Sequence, residues 1–170
     1  MTQHILIVGA GFGGVWSALS AARLLDQHDR NDVRITVLAP QAELRIRPRF
    51  YEPDVHKMMA PLGELFDAVG VKFVQGSADE IDVQARQVTY SDVHGTQGRL
   101  KFDRLVLAAG SRLIRPALEG MIEHAFDVDQ IETATLLEAY IKSLKNLPVS
   151  AARNTVVVAG GGFTGFETAT

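Results

Sequence analysis

The sequence predicts an α/β fold in which a parallel sheet carries an inserted antiparallel β-meander, and three observations predict it. Short apolar or β-branched runs at residues 4–8, 33–38, 71–75 and 105–109 have the length and composition of buried strands. The first two runs flank a segment with helical apolar spacing, which makes a strand-helix-strand unit of the length a parallel crossover needs. Between the third and fourth runs lie three short segments with partial alternation, and this is the pattern of a meander.

Residues 4–8 stop at Gly9, and Val15, Trp16, Ala18, Leu19, Ala22 and Leu25 then follow at spacings that suit one buried helical face. Residues 33–38 return as the second strand. From 39 to 60 the pattern breaks: Pro40, Pro48 and Pro53 exclude regular ladders, and Arg45, Arg47 and Arg49 alternate along what is expected to be a surface loop facing a ligand. Residues 61–69 read as a short helix opened by Pro61, and 71–75 as another strand of the parallel sheet. The meander is expected at 78–83, 87–91 and 99–102, with Asp92, Gly95 and Gly98 marking breaks. Residues 105–109 are apolar throughout and halt at Gly110, which predicts a strand in the sheet interior. After a linker near 112–120, Leu136, Leu137, Tyr140, Ile141 and Leu144 give helical spacing within 131–144, before Pro148. Residues 154–159 predict a last strand, and the following residues the first turns of a helix.

Composition narrows the chemistry. The chain has no cysteine, which removes disulfides, thiolate metal sites and redox-active Cys pairs from this segment, so any redox chemistry must come from a cofactor. Its five histidines show no ligand spacing, and no metal site is expected. A net charge of -3 gives no electrostatic reason to bind nucleic acid. No apolar run approaches the roughly 20 residues that cross a bilayer, and no signal peptide opens the chain, so a cytoplasmic location is expected.

Two glycine loops carry the functional signal. In Gly9-Ala10-Gly11-Phe12-Gly13-Gly14, the first glycine of the G-x-G-x-x-G spacing permits a tight turn, the second lets a diphosphate approach the backbone, and the third allows helix and strand to pack closely. Free N–H groups and the positive end of the helix dipole favour an anion there. Gly160, Gly162 and Gly165 repeat the spacing of Gly9, Gly11 and Gly14 after Val156-Val157-Val158. Two loops, each following a β-branched run, imply two dinucleotides.

The stretches Ile5-Leu6-Ile7-Val8-Gly9-Ala10-Gly11-Phe12-Gly13-Gly14, Asp103-Arg104-Leu105-Val106-Leu107-Ala108-Ala109-Gly110-Ser111 and Val158-Ala159-Gly160-Gly161-Gly162-Phe163-Thr164-Gly165-Phe166-Glu167 resemble successive motifs of FAD-dependent pyridine nucleotide oxidoreductases, in particular the type II NADH dehydrogenase-like branch. The resemblance implies a Rossmann-like FAD/NAD(P)-binding fold. It places the FAD diphosphate on the loop from Gly9 to Gly14, sets Ala109 and Gly110 against the FAD, and puts NAD(P)H on Gly160, Gly162 and Gly165. It also implies hydride transfer from the nicotinamide to flavin N5, with electrons passing on to a quinone or redox-protein acceptor. Glu167 matches an acidic residue on the nicotinamide and flavin side of the family site, and is the candidate catalytic residue; an ordinary helix-surface role is its alternative. Arg47-Pro48 resembles an Arg-Pro pair of ferredoxin-reductase-like flavoenzymes whose arginine approaches FAD, against the alternative of a solvated basic loop. Trp16 and Phe50 are expected to serve packing.

The implied organisation is residues 1–115 as the first part of an FAD domain, 116–153 as linker and helix, and 154–170 as the start of an NAD(P) domain. In the family the NAD domain continues further, and a later Gly-Asp motif completes the FAD site, so a truncated reductase is expected. Any peripheral contact with the inner membrane face is then expected through the missing part. A non-catalytic nucleotide-binding fragment and a ferredoxin-reductase-like flavoenzyme remain alternatives. Leu38 is followed by Ala39 and Pro40 where the family has an acid for the adenosine ribose. Glu43 is a substitute from the loop; the nearby arginines also leave open a 2′-phosphate, and with it an NADP site at the first loop.

Overall fold

The computed structural model describes residues 2–170, which divide into two units. The first joins the chain up to Leu44 to Ala60–Ser111, and the second joins Arg45–Met59 to Arg112–Thr170.

In the first unit β1 (Gln3–Val8) leads through α1 (Phe12–Gln27) to β2 (Val33–Ala39). Two short strands, β3 (Glu43–Arg45) and β4 (Met59–Pro61), pair with each other, and α2 (Gly63–Ala68) precedes β5 (Lys72–Gln75). The meander β6 (Ser77–Asp82), β7 (Gln87–Ser91) and β8 (Gln97–Lys101) follows, and β9 (Arg104–Leu107) closes the unit. The parallel sheet has the order β5-β2-β1-β9, and the meander is antiparallel throughout. A parallel α/β sheet with an antiparallel insertion is therefore the fold of this chain.

Strand alternation divides the core into two layers. Ile7, Ile35 and Val37 pack with Val15 and Ala18 of α1 and with Phe66 of α2. Leu6, Val8 and Leu38 point the other way, against Val88 and Phe102 of the meander region. Because both faces are covered, the strands read as unbroken apolar runs. In the meander, Tyr90 spreads its ring over glycine: a Cβ built on Gly98 would stand 2.5 Å from that ring, and one on Gly76 2.7 Å.

Several expectations are corrected. β9 is an edge strand rather than an interior one, with Leu107 exposed; its apolar character comes from Leu105 and Val106 feeding opposite core layers. Trp16 is exposed and leaves the buried face of α1 to Gly14, Val15 and Ala18. Pro61 ends β4 instead of opening α2, which starts at Gly63. The segment between β2 and α2 is not a plain surface loop. It holds β3, β4 and two 3-10 turns, Arg47–Arg49 and Val55–Lys57, and buries Phe50 and Val55.

The second unit contains those turns, α3 (Met121–His124), α4 (Ile131–Ser143) and α5 (Phe163–Ala169). Its core is Phe50, Val55 and Met58 against Ile131 and Ala134. Phe50 thus serves packing as expected. α4 packs through its amino-terminal residues, while Leu136, Tyr140 and Ile141 of its expected face are exposed. The Glu138 carboxylate accepts the Asp54 backbone N–H at 2.8 Å and satisfies a turn in which Asp54 has φ +60°. Residues 154–159 form no strand, and Val156 and Val157 are 72% and 85% exposed. A β-branched run is a strand only when a neighbour supplies ladder partners, and these residues have none among the described ones.

His4 is the polar anchor beneath β1. Its Nδ1–H must donate to the Lys101 carbonyl, which can only accept, so Nε2 accepts from the Thr36 hydroxyl at 2.8 Å. Burial holds its pKa below the ordinary 6.5, outweighing the Lys101 carbonyl's opposite pull. An unfolded chain binds that proton more readily, so the stability due to neutral His4 is complete above pH 6.5 and is lost as pH falls towards the folded value. Denaturant midpoints measured from about pH 7.5 down to about pH 5.5 should fall, and the fall should be smaller in His4→Gln.

Candidate cofactor-binding site

The first glycine loop sits where β1 ends and α1 begins, beside the end of β9. Gly9 has φ +109°, and its N–H donates to Leu38 O at 2.9 Å. A Cβ on Gly9 would lie 2.1 Å from the Ala108 carbonyl oxygen, and one on Gly14 only 1.9 Å from the Gly9 carbonyl oxygen. Neither position can carry a side chain unless the backbone shifts, so these two glycines fold the strand tightly into the helix. Ala10 is buried beneath the turn and Phe12 is half-exposed.

Gly11 is different. It caps α1 in extended conformation, with nothing within 4 Å of where a Cβ would be. The first intrahelical bond runs from Val15 N–H to Gly11 O at 2.9 Å, so the amides of Phe12, Gly13 and Gly14 precede any intrahelical acceptor. α1 has no side-chain cap and no acid in its first turn to answer its dipole. Open space over a positive helix end, with backbone donors and no competing carboxylate, fits a diphosphate. Ala108 N–H donates to Val8 O at 2.8 Å, which holds the end of β9 beside the loop, and the Ala109 nitrogen stands 3.1 Å from the Gly9 Cβ position. Ala109 is exposed there, and Gly110 turns the chain away with φ +75°. The structure thus brings Gly9–Gly14 and Ala109–Gly110 together at the carboxyl ends of neighbouring parallel strands, where open α/β sheets take their ligands.

The second loop repeats the geometry locally. Gly160 has φ +139°, and Gly162 caps α5 in the same extended conformation as Gly11. A Cβ on Gly165 would fall 2.2 Å from the Gly160 carbonyl oxygen, as one on Gly14 would against Gly9. The corresponding first helical bond, Phe166 N–H to Gly162 O, is 3.1 Å. Glu167 is exposed on α5.

Arg47 lies in the second unit, where its guanidinium donates to Asp129. Asp129 also accepts the Leu113 N–H at 3.0 Å. Arg115 and Thr133 converge on Asp127; burial pushes that carboxyl up, but these bonds outweigh it and hold the group below the usual carboxylate range. Arg45 pairs with Glu132 at 3.0 Å and Arg49 with Glu52 at 2.5 Å, so the three arginines are not a freely solvated row. Asp129 was invisible to sequence reasoning, because it meets Arg47 across 82 residues without a local motif. At the end of β2, Ala39 is buried and its carbonyl accepts Gly76 N–H at 3.0 Å, while Glu43 lies half-buried in β3.

An NADH dehydrogenase-like protein of Mycobacterium tuberculosis is 40% identical over 168 residues, covering 98% of this chain and 41% of that protein. Demethylphylloquinone reductase of Synechocystis is 29% identical over 171 residues, covering 98% of this chain and 42% of that protein. The structure of NDH2 from Plasmodium falciparum in complex with NADH superposes with a TM-score of 0.72 at 16% identity, covering 90% of this chain and 32% of that one, and supports the fold alone. The chain therefore spans about two fifths of the curated relatives it matches. A family model for pyridine nucleotide-disulphide oxidoreductases matches residues 3–170, and the chain belongs to that family.

Proposed function

We propose that this chain builds the FAD-binding side of a flavoprotein oxidoreductase that takes a hydride from NAD(P)H and delivers electrons to an acceptor such as a quinone. The observation that carries the reading is the pair of matching glycine nests, one before α1 and one before α5. The amides from Gly11 to Gly14 would hold the FAD diphosphate, and the backbone at Ala109 and Gly110 would line the cofactor beside it. Arg47, steadied by Asp129, would offer its guanidinium to the diphosphate or to a flavin carbonyl. Gly160, Gly162 and Gly165 would take NAD(P)H, with Glu167 one turn into the helix on the nicotinamide side. Bound flavin supplies the redox chemistry, accepting two electrons and a proton from the nicotinamide and passing electrons on. The protein's own task is to align two rings and exclude water. No helix among the described residues is long and apolar enough to cross a membrane.

A second reading, nucleotide binding without turnover by this chain alone, is favoured by the exposure of Val156 and Val157, which leaves the second nest without a sheet behind it. Purified chain incubated with FAD, then desalted, distinguishes the two. Retained flavin absorbance that bleaches on anaerobic addition of NADH supports the reductase, retained but unbleached flavin supports the second reading, and a colourless product defeats both.

The glycines give a sharper test. Gly14→Ala should cost about 1–3 kcal/mol in urea denaturation, because its methyl collides with the Gly9 carbonyl. Gly11→Ala should leave stability within about 0.5 kcal/mol while weakening FAD binding about tenfold or more in fluorescence titration, because its methyl fills the open approach.

A further inference from the structure

At the opposite end of the parallel strands from the Gly9 loop, a pocket of about 370 Å³ opens between the sheet and the meander. His4 and Thr36 form its buried floor. Arg34 of β2, Lys72 of β5, and Arg99 and Lys101 of β8 stand around it, with Gln87 of β7 adding an amide. All belong to the first unit. Its volume is at the lower end of small-ligand pockets, which run from roughly 300 to 1,000 Å³.

The charge balance is unusual for a chain of net charge -3. None of these four cations forms an ion pair with a carboxylate among the described residues. Beside the floor, the Asp103 carboxylate accepts the His4 backbone N–H at 2.7 Å. Arg34 comes within 3.3 Å of His4 Nδ1, whose hydrogen already goes to the Lys101 carbonyl, so the contact gives its guanidinium no acceptor. Four like charges held around one pocket repel each other, and surface design normally intersperses acids among them. An anion with several acceptor oxygens would relieve that repulsion and receive charge-assisted hydrogen bonds from several strands at once.

We propose that this pocket is a second anion site, separate from the glycine loops, that takes a phosphate-bearing group of two or more negative charges. The guanidinium groups of Arg34 and Arg99 offer planar forks to phosphate oxygens, and Lys72 and Lys101 serve as point charges beside them. The group belongs either to a soluble polyphosphate or to an anionic lipid headgroup.

Inorganic pyrophosphate titrated into the ¹⁵N-labelled full chain at low ionic strength tests this. Amide shifts at His4, Lys72 and Arg99 should saturate, and the Arg99→Glu/Lys101→Glu double variant should bind about tenfold more weakly or worse, with melting unchanged or raised because both side chains are exposed and their mutual repulsion is relieved. Arg34→Gln/Lys72→Gln provides an independent pair should the first variant fail to fold. Shifts confined to the Gly9 loop, or pocket shifts indifferent to both pairs, overturn the proposal. Co-sedimentation with phosphatidylcholine vesicles containing phosphatidic acid separates the sources. Vesicle binding lost in the variants, without pyrophosphate binding, assigns the phosphate to a lipid, whereas pyrophosphate binding alone assigns a soluble ligand. Binding of neither overturns the site.

Discussion

The architecture of the first unit turns on one steric constraint: the backbone of β1 must reverse into α1 with no side chain in the way. Gly14 packs on the Gly9 carbonyl, and Gly9 packs on the Ala108 carbonyl, so strand, helix and the neighbouring strand meet through main chain alone. That contact aims the first amides of α1 into open space rather than into a side chain. The same tight junction starts α1 with no side-chain cap, and the first-turn amides of a helix have no intrahelical acceptor.

The sheet behind the loop is held on two sides by different means. Towards α1 and α2 it is an apolar layer in which Phe66 stacks on Phe73 at 6.2 Å between ring centroids. Towards the meander it is apolar near the loop end and polar at the other, where His4 links Thr36 of β2 to the Lys101 carbonyl. Every hydrogen-bonding atom of that imidazole is satisfied without water, which is what a buried ring requires. The meander is therefore fastened to the sheet by a neutral histidine as well as by Val88 and Phe102.

Much of this was legible in the residues, for identifiable reasons. Period and turn chemistry located β1, α1, β2, β5 and the three meander strands, because each is decided by neighbours a few positions away. Spacing alone located both glycine nests. What failed depended on distant partners: an apolar composition revealed that β9 was covered on both faces but not that it lay at an edge, since edge or interior is a property of the sheet. Trp16 fits helical periodicity and still faces outward, and the valines before Gly160 have strand propensity without a ladder to join. The Arg47–Asp129 pair and the His4 network span long sequence separations, so no window along the chain shows them.

The second nest adopts the shape of the first although no sheet supports it. Its form is therefore written in its own few residues, in the way a prefabricated hinge keeps its angle before it is mounted. The backbone shape of Gly9 to Gly14 thus recurs at Gly160 to Gly165 in different surroundings.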